Sequence, residues 1–372
     1  MNAGIRLWEI QKRQGTGLCI GLDPHYDPES DLDEAFYAKF ASDETKAFAE
    51  LCSGVLAECS ALRGSASDRT ITFISGVTSY YLRVISSAWS CGIRVFKPQA
   101  AFYERLTPYG MIILEILCRA IKDAARQSGE DAFLILDAKR GDIDSTQAPY
   151  YWAYLTDPTT EVLPGMNGVF GFDAITVTTW MGSDVLVPGL NFFQQGKAAI
   201  VVTRSSNPSG ATLQDEILCG ESPKLRTIDT LTSLLGHRPM AHELMLYETE
   251  TFSEQHDLND RGVSPLFSVM GSTVRMSDAF RRIRPNGIAL VPGFGAQGGK
   301  FENVMPLLVC EGPLKGHIGV LSSSRDHNFP WMKRAGGLGD PARVESEMRR
   351  AIGNFRAVEK QAYRSAAVDY PF

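Results

Sequence analysis

Short runs of β-forming residues recur along the chain, and stretches with helical periodicity separate most of them. The runs lie at 18–22, 94–97, 133–139, 174–179, 198–203, 266–270, 287–291 and 316–321. Strands that alternate with helices build parallel βα units, and eight such units close into a barrel. The sequence therefore predicts an α/β fold, the TIM (β/α)8 barrel, with its functional residues at the carboxyl ends of the strands.

Helical periodicity and three insertions complete this pattern. The predicted helices are 43–63, 71–88, 110–127, 239–250, 277–283 and a C-terminal helix near 343–360. The insertions are a polar joint near 64–70, a loop rich in Thr, Pro and Gly near 150–172, and a mixed segment near 214–262. A chain of 372 residues exceeds the usual size of one core, but a barrel with insertions reaches this length. We therefore expect residues 1–372 to form a single domain.

Charge and apolar content argue against a nucleic-acid or membrane protein. Hydrophobic residues make up 44% and charged residues 22%, as in soluble chains with a large core. The net charge of −6 comes without the clustered basic residues that bind nucleic-acid polymers. The N-terminal segment is too polar for a secretory signal or a membrane span. Seven single Cys without a CxxC pair predict a reduced, cytoplasmic protein.

The predicted strand 133–139 ends in charged residues. Strand periodicity puts Asp137 and Lys139 on the face that begins with Phe133, and Asp142 follows in the next turn. Charges this close cannot share a dry core unless they compensate one another. An exposed, salt-bridged strand end is one interpretation of the motif. An active site at the mouth of the barrel is the other.

Neighbouring predicted strands end in charge as well. The first strand runs into Asp23, and the second carries Lys97 and Gln99 on one face at its carboxyl end. Because the carboxyl ends of barrel strands meet at one mouth, these side chains are expected to converge with Asp137 and Lys139. His25, beside Asp23, has two interpretations, a residue at the mouth of the pocket or one in a surface loop, and the surface loop is favoured.

A glycine-rich segment follows the seventh predicted strand. In VPGFGAQGG (291–299) the glycines let backbone N–H groups approach an anion, and Gln297 adds an amide side chain. The eighth strand ends in SSSR (322–325), whose hydroxyl groups and Arg325 guanidinium suit a phosphate. Phosphate sites in TIM barrels commonly form after strands seven and eight. The two segments together predict phosphate binding.

Six motifs give the chain a family resemblance. They are CIGLDP (19–24), FKPQAAFYE (96–104), LDAKRGDIDST (136–146), SSNP (205–208), VPGFGAQGG (291–299) and SSSR (322–325). In this order they resemble the orotidine 5'-phosphate decarboxylase family, in particular its second, bacterial and apicomplexan-like group. The insertions and the tail after about 335 lie outside the resemblance.

The resemblance implies cofactor-independent decarboxylation of orotidine 5'-phosphate to uridine 5'-phosphate (UMP), the last step of de novo pyrimidine nucleotide synthesis. Asp23 would bind the ribose hydroxyls, and Lys97 would join the ribose to the carboxylate network. Asp137 would face the substrate carboxylate, and Lys139 would deliver a proton to C6. Gln99 would be a further substrate contact. No metal and no organic cofactor is implied.

The resemblance also implies a homodimer with shared active sites. Asp142, Ile143 and Thr146 would reach the site of the other subunit, and Asp142 would extend the charged array there. Within one subunit, Ser206 would contact the pyrimidine edge and Pro292 would line the ring pocket. The phosphate would be held by four residues, Gln297, Gly298, Gly299 and Arg325.

Two other functions remain open at this stage. A Mg2+-dependent sugar-phosphate decarboxylase or aldolase of the same barrel group carries a similar Asp-x-Lys-x-x-Asp motif. Lys97 and Gln297 favour the nucleotide enzyme over it. A nucleotide-binding barrel without catalysis is the second alternative, and the full set of charged residues argues against it.

Overall fold

The computed structural model describes residues 1–59, 67–218, 225–273, 278–294, 298–333 and 340–372. Its strands are β1 (Leu18–Leu22), β2 (Val95–Pro98), β3 (Phe133–Arg140), β4 (Glu161–Leu163), β5 (Met166–Asn167), β6 (Ala174–Val177), β7 (Ala198–Arg204), β8 (Leu266–Met270), β9 (Ala289–Pro292) and β10 (Val320–Ser323). Across these ranges, eight parallel strands close into a barrel in the order β1-β2-β3-β6-β7-β8-β9-β10, and β4 and β5 form a separate antiparallel hairpin. The predicted TIM barrel is confirmed.

Helices surround the barrel. They are α1 (Ala3–Gln14), α2 (Glu34–Ala38), α3 (Asp43–Cys59), α4 (Asp68–Ser90), α5 (Ala100–Glu104), α6 (Thr107–Ser128), α7 (Asp144–Leu155), α8 (Leu190–Gln194), α9 (Ala211–Gln214), α10 (Leu225–Leu235), α11 (Ala241–Gln255), α12 (Ala279–Ile283), α13 (Phe301–Val304), α14 (Arg325–Asn328) and α15 (Val344–Ser365). Short 3-10 turns lie at Ser183–Gly189, Pro208–Gly210, Met305–Leu307, Pro330–Lys333 and Pro341–Arg343. None of the helices described here combines the length and apolar character needed to cross a membrane.

Alternation along β3 separates the barrel interior from the helical layer. Phe133 and Ile135 belong to an interior apolar cluster, whereas Leu134 and Leu136 pack in the cluster shared with the surrounding helices. All four side chains are buried, as expected for a parallel strand covered on both faces. The inward face of β3 therefore leads from a packed core toward the mouth where Asp137 lies.

The N-terminal helix α1 closes the mouth at the amino ends of the strands. Arg6 donates to Asp131 and to Asp173, which precede β3 and β6, at 2.7 and 2.6 Å. Gln11 Nε2 donates to the carbonyl oxygen of Gly17, just before β1, at 3.1 Å. Because α1 covers this mouth, a ligand has access to the interior from the opposite, carboxyl-terminal mouth.

The predicted insertions differ in detail from the structure. The first residues of the segment 150–172 are helical, because α7 continues to Leu155, and the rest holds the β4–β5 hairpin. The segment 214–262 carries α10 and α11 with connecting loops, as predicted. In the joint 64–70, residues 64–66 lie outside the described part, whereas Ser67 caps α4. The predicted C-terminal helix corresponds to α15.

Candidate active site

A cavity of about 310 Å³ opens at the carboxyl ends of the barrel strands. That volume suits a small-molecule ligand. It is lined by eight of the residues that the sequence singled out, Asp23, Lys97, Gln99, Asp137, Lys139, Ser206, Pro292 and Arg325. These residues come from six different strands or the loops that follow them, so the closed barrel brings together positions about 300 residues apart in the chain.

Asp137 lies between two lysines at the floor of this cavity. Lys97 Nζ donates to Asp137 Oδ2 at 3.1 Å, and Lys139 Nζ donates to Asp137 Oδ1 at 2.6 Å. The side chains of Lys97 and Asp137 are 7% and 13% exposed, whereas that of Lys139 is 50% exposed. Lys139 is therefore the member of this array that can most easily reach a ligand.

Mutual compensation keeps these buried groups charged. Burial opposes ionisation of Asp137, but the positive charges of Lys97 and Lys139 outweigh it and hold the pKa of Asp137 well below its usual range. Burial likewise opposes the Lys97 ammonium, and the charges of Asp137 and Asp23 raise the pKa of Lys97 above its usual range. The site thus holds a fixed carboxylate and a fixed ammonium at neutral pH.

The turn that directs Lys139 toward Asp137 depends on Thr176. The register between β3 and β6 shifts after Leu136, and Lys139 adopts a left-handed φ of 49°. Thr176 Oγ1 accepts from the backbone N–H groups of Ala138 and Lys139, both at 2.8 Å, and donates to Asp137 Oδ1 at 3.0 Å. One buried hydroxyl therefore holds both the bulge and the carboxylate.

Asp23 and Gln99 are held beside the charged array. Gln99 N–H donates to Asp23 Oδ1 at 3.1 Å, and Gln99 Oε1 accepts from Ala101 N–H at 3.2 Å. Asp23 is 7% exposed. Its second carboxylate oxygen is the one that remains for a ligand hydroxyl.

A layer of buried tyrosines anchors the backbone around Asp23. The phenol groups of Tyr103, Tyr81 and Tyr37 donate to the carbonyl oxygens of Leu22, Asp23 and His25 in that order. Burial raises the pKa of all three phenols above the usual range. The loop after β1 is therefore fixed from beneath by groups that stay protonated.

His25 lies in the loop after β1 and lines the cavity, which agrees with the less favoured of its two interpretations. Its ring lies 4.5 Å from that of Phe102, edge to face. Burial lowers the pKa of His25; the charge of Asp23 opposes this shift, and that of Arg325 reinforces it. A neutral imidazole thus lines the cavity together with Asp23 and Arg325.

The two segments predicted to bind phosphate, 291–299 and 322–325, are only partly within the described residues. Arg325 lines the cavity together with Ser322 and Ser324, whereas Gln297 lies outside the described part of the chain. Gly298 adopts a left-handed φ of 77°, and the N–H of Gly299 donates to the carbonyl oxygen of Gly293 at 3.0 Å. Neither glycine contributes to the lining of the cavity in this arrangement.

Asp142, Ile143 and Thr146 do not reach the cavity of their own chain. Ile143 is 54% exposed, and Thr146 is exposed on the first turn of α7. The backbone N–H of Asp142 donates to the buried Gln147 Oε1 at 3.2 Å, which holds the turn in place. Ile143 and Thr146 therefore lie at the surface of the chain, and Asp142 is partly exposed beside them.

Comparison with known families fits this geometry. The sequence matches the model of the orotidine 5'-phosphate decarboxylase / HUMPS family over residues 17–232, more than half of the chain. The chain belongs to this family. The orotidine 5'-phosphate decarboxylase of Rhodopirellula baltica is 31% identical over 254 residues, which cover 68% of this chain and 74% of that protein. The corresponding enzyme of Myxococcus xanthus is 32% identical over 234 residues, covering 62% and 69% of the two chains.

Solved structures show the same fold. The orotidine 5'-monophosphate decarboxylase of Plasmodium berghei superposes with a TM-score of 0.63 at 15% identity, covering 97% of this chain and 98% of that one. At this identity the likeness concerns the barrel and its additions rather than the chemistry. The family match ends at residue 232, so it is the closed barrel that brings Pro292 and Arg325 to the cavity.

For a member of the orotidine 5'-phosphate decarboxylase family, the residue that sequence reasoning missed is Thr176. It lies inside the predicted strand 174–179, where a buried threonine is also an ordinary β-sheet residue. Its distinguishing feature is position, because it faces the last residues of β3 across the sheet. Only the pairing of β6 with β3 reveals that contact.

Proposed function

We propose that this chain removes CO2 from orotidine 5'-phosphate to give UMP, the last step of de novo pyrimidine nucleotide synthesis. The observation that carries the proposal is the Lys97–Asp137–Lys139 array at the floor of the cavity. The family match and the relatives with this name support it.

The chemistry requires stabilisation of charge at one ring carbon. Heterolysis of the C6–carboxylate bond leaves its electron pair on C6, in the ring plane, where no π system delocalises it. The Lys139 ammonium would stabilise the developing negative charge and then transfer a proton to C6. Asp137 would lie next to the departing carboxylate and disfavour it by like-charge repulsion. Lys97 keeps Asp137 ionised in this buried setting.

Residues that bind the substrate away from C6 would orient it in the site. We assign the phosphate to Arg325, with Gln297, Gly298 and Gly299 from the neighbouring loop. Ser206 and Pro292 would face the base, and Asp23 with Gln99 would face the ribose side. Interactions at the phosphate can then contribute to the transition state, because they fix C6 against Lys139.

We also propose a homodimer with shared sites. Ile143 follows β3 and is 54% exposed, while Trp180 and Met181 follow the adjacent strand β6 and are 72% and 55% exposed. Apolar side chains grouped at one rim favour burial against a second copy of the chain. Asp142 and Thr146 lie in the same turn, so a partner placed there would receive them.

The site needs no bound metal in this proposal, and the carboxylate chemistry supports that view. Both oxygens of Asp137 already accept from lysine ammonium groups.

Free thiols fit a reducing cytoplasm, because the cysteines described here, Cys19, Cys52, Cys91, Cys118 and Cys310, are unpaired.

One assay tests the activity and the role of Lys139. Loss of orotidine 5'-phosphate is followed by absorbance for the wild-type chain and for Lys139→Ala. We expect turnover by the wild type and a fall in kcat of at least about 10⁴-fold in the variant, because one group both stabilises the carbanion and protonates it. Binding of UMP by the folded variant is the control, and near-normal turnover in it would contradict the proposal.

The same assay separates the Mg2+-dependent alternative. EDTA should leave the rate unchanged if electrostatics alone drives the reaction. Loss of activity with EDTA, restored by Mg2+, would favour the sugar-phosphate class instead. Tight UMP binding without any turnover would favour a barrel that only binds nucleotide.

A further inference from the structure

The loop after β7 faces the cavity and is held by contacts that the proposed chemistry does not use. Ser205, Ser206 and Asn207 line the cavity at the base end. The chain then runs through a 3-10 turn and α9 to Gln214 and Asp215, where the long segment 214–262 begins. Neither Gln214 nor Asp215 lines the cavity.

A buried cation ties the two ends of this loop together. Arg204, 3% exposed, donates from Nε and Nη2 to the two carboxylate oxygens of Asp215 at 2.6 and 2.9 Å. Its Nη1 donates to the carbonyl oxygen of Ser205 at 2.6 Å. A bidentate ion pair of this kind fixes the orientation of Arg204 and Asp215 as well as their distance, and the carboxylate compensates the buried positive charge.

The side chain of Gln214, at the end of this loop, contacts Ser205 and Arg204 at its beginning. Its Oε1 accepts from the backbone N–H of Ser205 at 2.9 Å, from Ser205 Oγ at 3.2 Å and from Arg204 Nη1 at 3.3 Å. The ring of His242 on α11 lies against it, with Nδ1 2.7 Å from the carbonyl oxygen of Gln214. The segment 214–262 thereby reaches the rim of the cavity.

The other side of the loop is held by the turn after β8. Gly271 N–H donates to the carbonyl oxygen of Arg204 at 2.9 Å, and a Cβ on Gly271 would lie 2.6 Å from the backbone nitrogen of Ser206. Thr273 Oγ1 donates to the carbonyl oxygen of Ser206 at 3.0 Å. Ser206 is thus confined from both sides, and its side chain has a defined position in the cavity.

We propose that Gln214, with the Arg204–Asp215 pair, positions Ser206 to recognise the edge of the pyrimidine base. The inference rests on the proposed function and assigns a role to the start of the segment 214–262. Gln214 is a positioning residue, because it acts through the backbone of Ser205 and does not line the cavity.

Two substitutions at Gln214 separate the acceptor from the shape of the side chain. Gln214→Met keeps the length and removes the acceptor, whereas Gln214→Glu keeps an acceptor oxygen. Calorimetry with UMP should show about a tenfold weaker Kd for Gln214→Met, the loss expected for one displaced hydrogen bond, and less than about a threefold change for Gln214→Glu. Ribose 5-phosphate, which has no base, should bind both variants as it binds the wild type.

A double-mutant cycle with Ser206→Ala tests the route of the effect. If Gln214 acts through Ser206, Gln214→Met should change the Kd for UMP by less than about twofold in the Ser206→Ala background. Equal weakening in both backgrounds, equal weakening for ribose 5-phosphate, or a Gln214→Glu variant as weak as Gln214→Met would overturn the inference. A wild-type chain that binds UMP but has no decarboxylase activity would instead overturn the proposed function.

Discussion

At the scale of single residues, the site depends on the three hydrogen-bond donors that contact the carboxylate of Asp137. Two ammonium groups occupy its two oxygens, and the Thr176 hydroxyl adds a third donor. The carboxylate therefore has little freedom to rotate, and Lys139 is held against it. This fixed arrangement is what a reaction driven by preorganised charge requires.

Thr176→Val tests this dependence. Valine has nearly the same shape but removes the acceptor of two backbone N–H groups and one of the three donors to the Asp137 carboxylate. We expect kcat to fall about 30-fold, equivalent to about 2 kcal/mol, with the KM for orotidine 5'-phosphate within about threefold of the wild type. Steady-state kinetics of the folded variant measures the change in kcat and the change in KM separately.

Thr176→Ser is the matched control for that substitution, since it keeps the hydroxyl and removes only a methyl group. Its kcat should lie within about threefold of the wild type. If the serine variant is as slow as the valine variant, or if valine raises KM without lowering kcat, Thr176 has only a packing role.

The charged residues could be predicted from the sequence, but their local geometry could not. Regular strand periodicity placed Asp137 and Lys139 on one face, and both do line the cavity. The strand is not regular there, because Lys139 is left-handed and the register with β6 shifts. Nothing in the residue pattern marks such a bulge, since its cause is a hydroxyl on a strand distant in sequence.

At the scale of elements, strand positions were predicted more closely than loops and helix starts. The strands at 18–22 and 266–270 agree with β1 and β8 at both ends. The last strand was placed too early, because residues 313–316 form a turn and Gly319 has a φ of 137°, so that pairing begins only at Val320. The last turns of helix α7 were taken for a loop, because the Thr, Pro and Gly content that predicted a loop near 150–172 lies after Leu155.

Helix α1 is joined to that last turn by a buried histidine. His317 Nε2 lies 2.8 Å from Gln11 Oε1, and the ring of Trp8 contacts the imidazole at 5.1 Å. Burial, with a smaller effect from the charge of Arg281, lowers the pKa of His317 to about 3. The contact between α1 and the start of β10 therefore depends on a neutral ring.

This contact predicts a loss of stability in mild acid. His317 has a lowered pKa in the folded chain, so it contributes stability above its unfolded pKa of about 6.5, and this is lost as the pH falls toward 3. Between pH 7 and pH 5 the loss from this residue should be about 2 kcal/mol. Chemical denaturation of the wild type and of His317→Gln at both pH values measures it. An equal pH dependence in the two proteins would contradict the prediction, because it would show that His317 titrates alike in the folded and the unfolded chain.

At the scale of the whole molecule, closure of the barrel creates the site. Asp23 follows the first strand and Arg325 the last, and they face one cavity because β1 pairs with β10. The barrel could be predicted from the alternation of strands and helices. The prediction that 1–372 is a single domain stays a prediction, as does the dimer.

Complementation between inactive subunits tests the shared site. Lys97→Ala and Asp142→Ala chains should each be inactive alone, because each lacks one charged group of every site. In an equal mixture that exchanges subunits, half of the dimers are mixed and each mixed dimer has one intact site, so activity should recover to about a quarter of the wild-type value. Kinetic assay after mixing measures the recovery.

The double variant Lys97→Ala/Asp142→Ala, mixed with wild type, is the converse test, and native mass spectrometry of chains of different mass follows subunit exchange in both mixtures. Mixed dimers of that pair lose one group from each site, so activity should fall as exchange proceeds. Exchange seen by native mass spectrometry, with no recovery in the first mixture and no fall in the second, would mean that Asp142 serves its own chain.

The tyrosine layer beneath Asp23 gives the molecule an optical reporter. Tyr37, Tyr81 and Tyr103 hold the backbone of the first loop, and burial keeps their phenols protonated far into alkaline solution. A phenolate absorbs at longer ultraviolet wavelength than a phenol. The absorbance of these three side chains would therefore change only when water reaches the floor of the cavity and the phenols ionise. Tyr80, Tyr151, Tyr363 and Tyr370 also have raised pKa values, so the part of the slow absorbance change that is lost in a Tyr81→Phe variant would time the opening of the active-site floor, without any added dye.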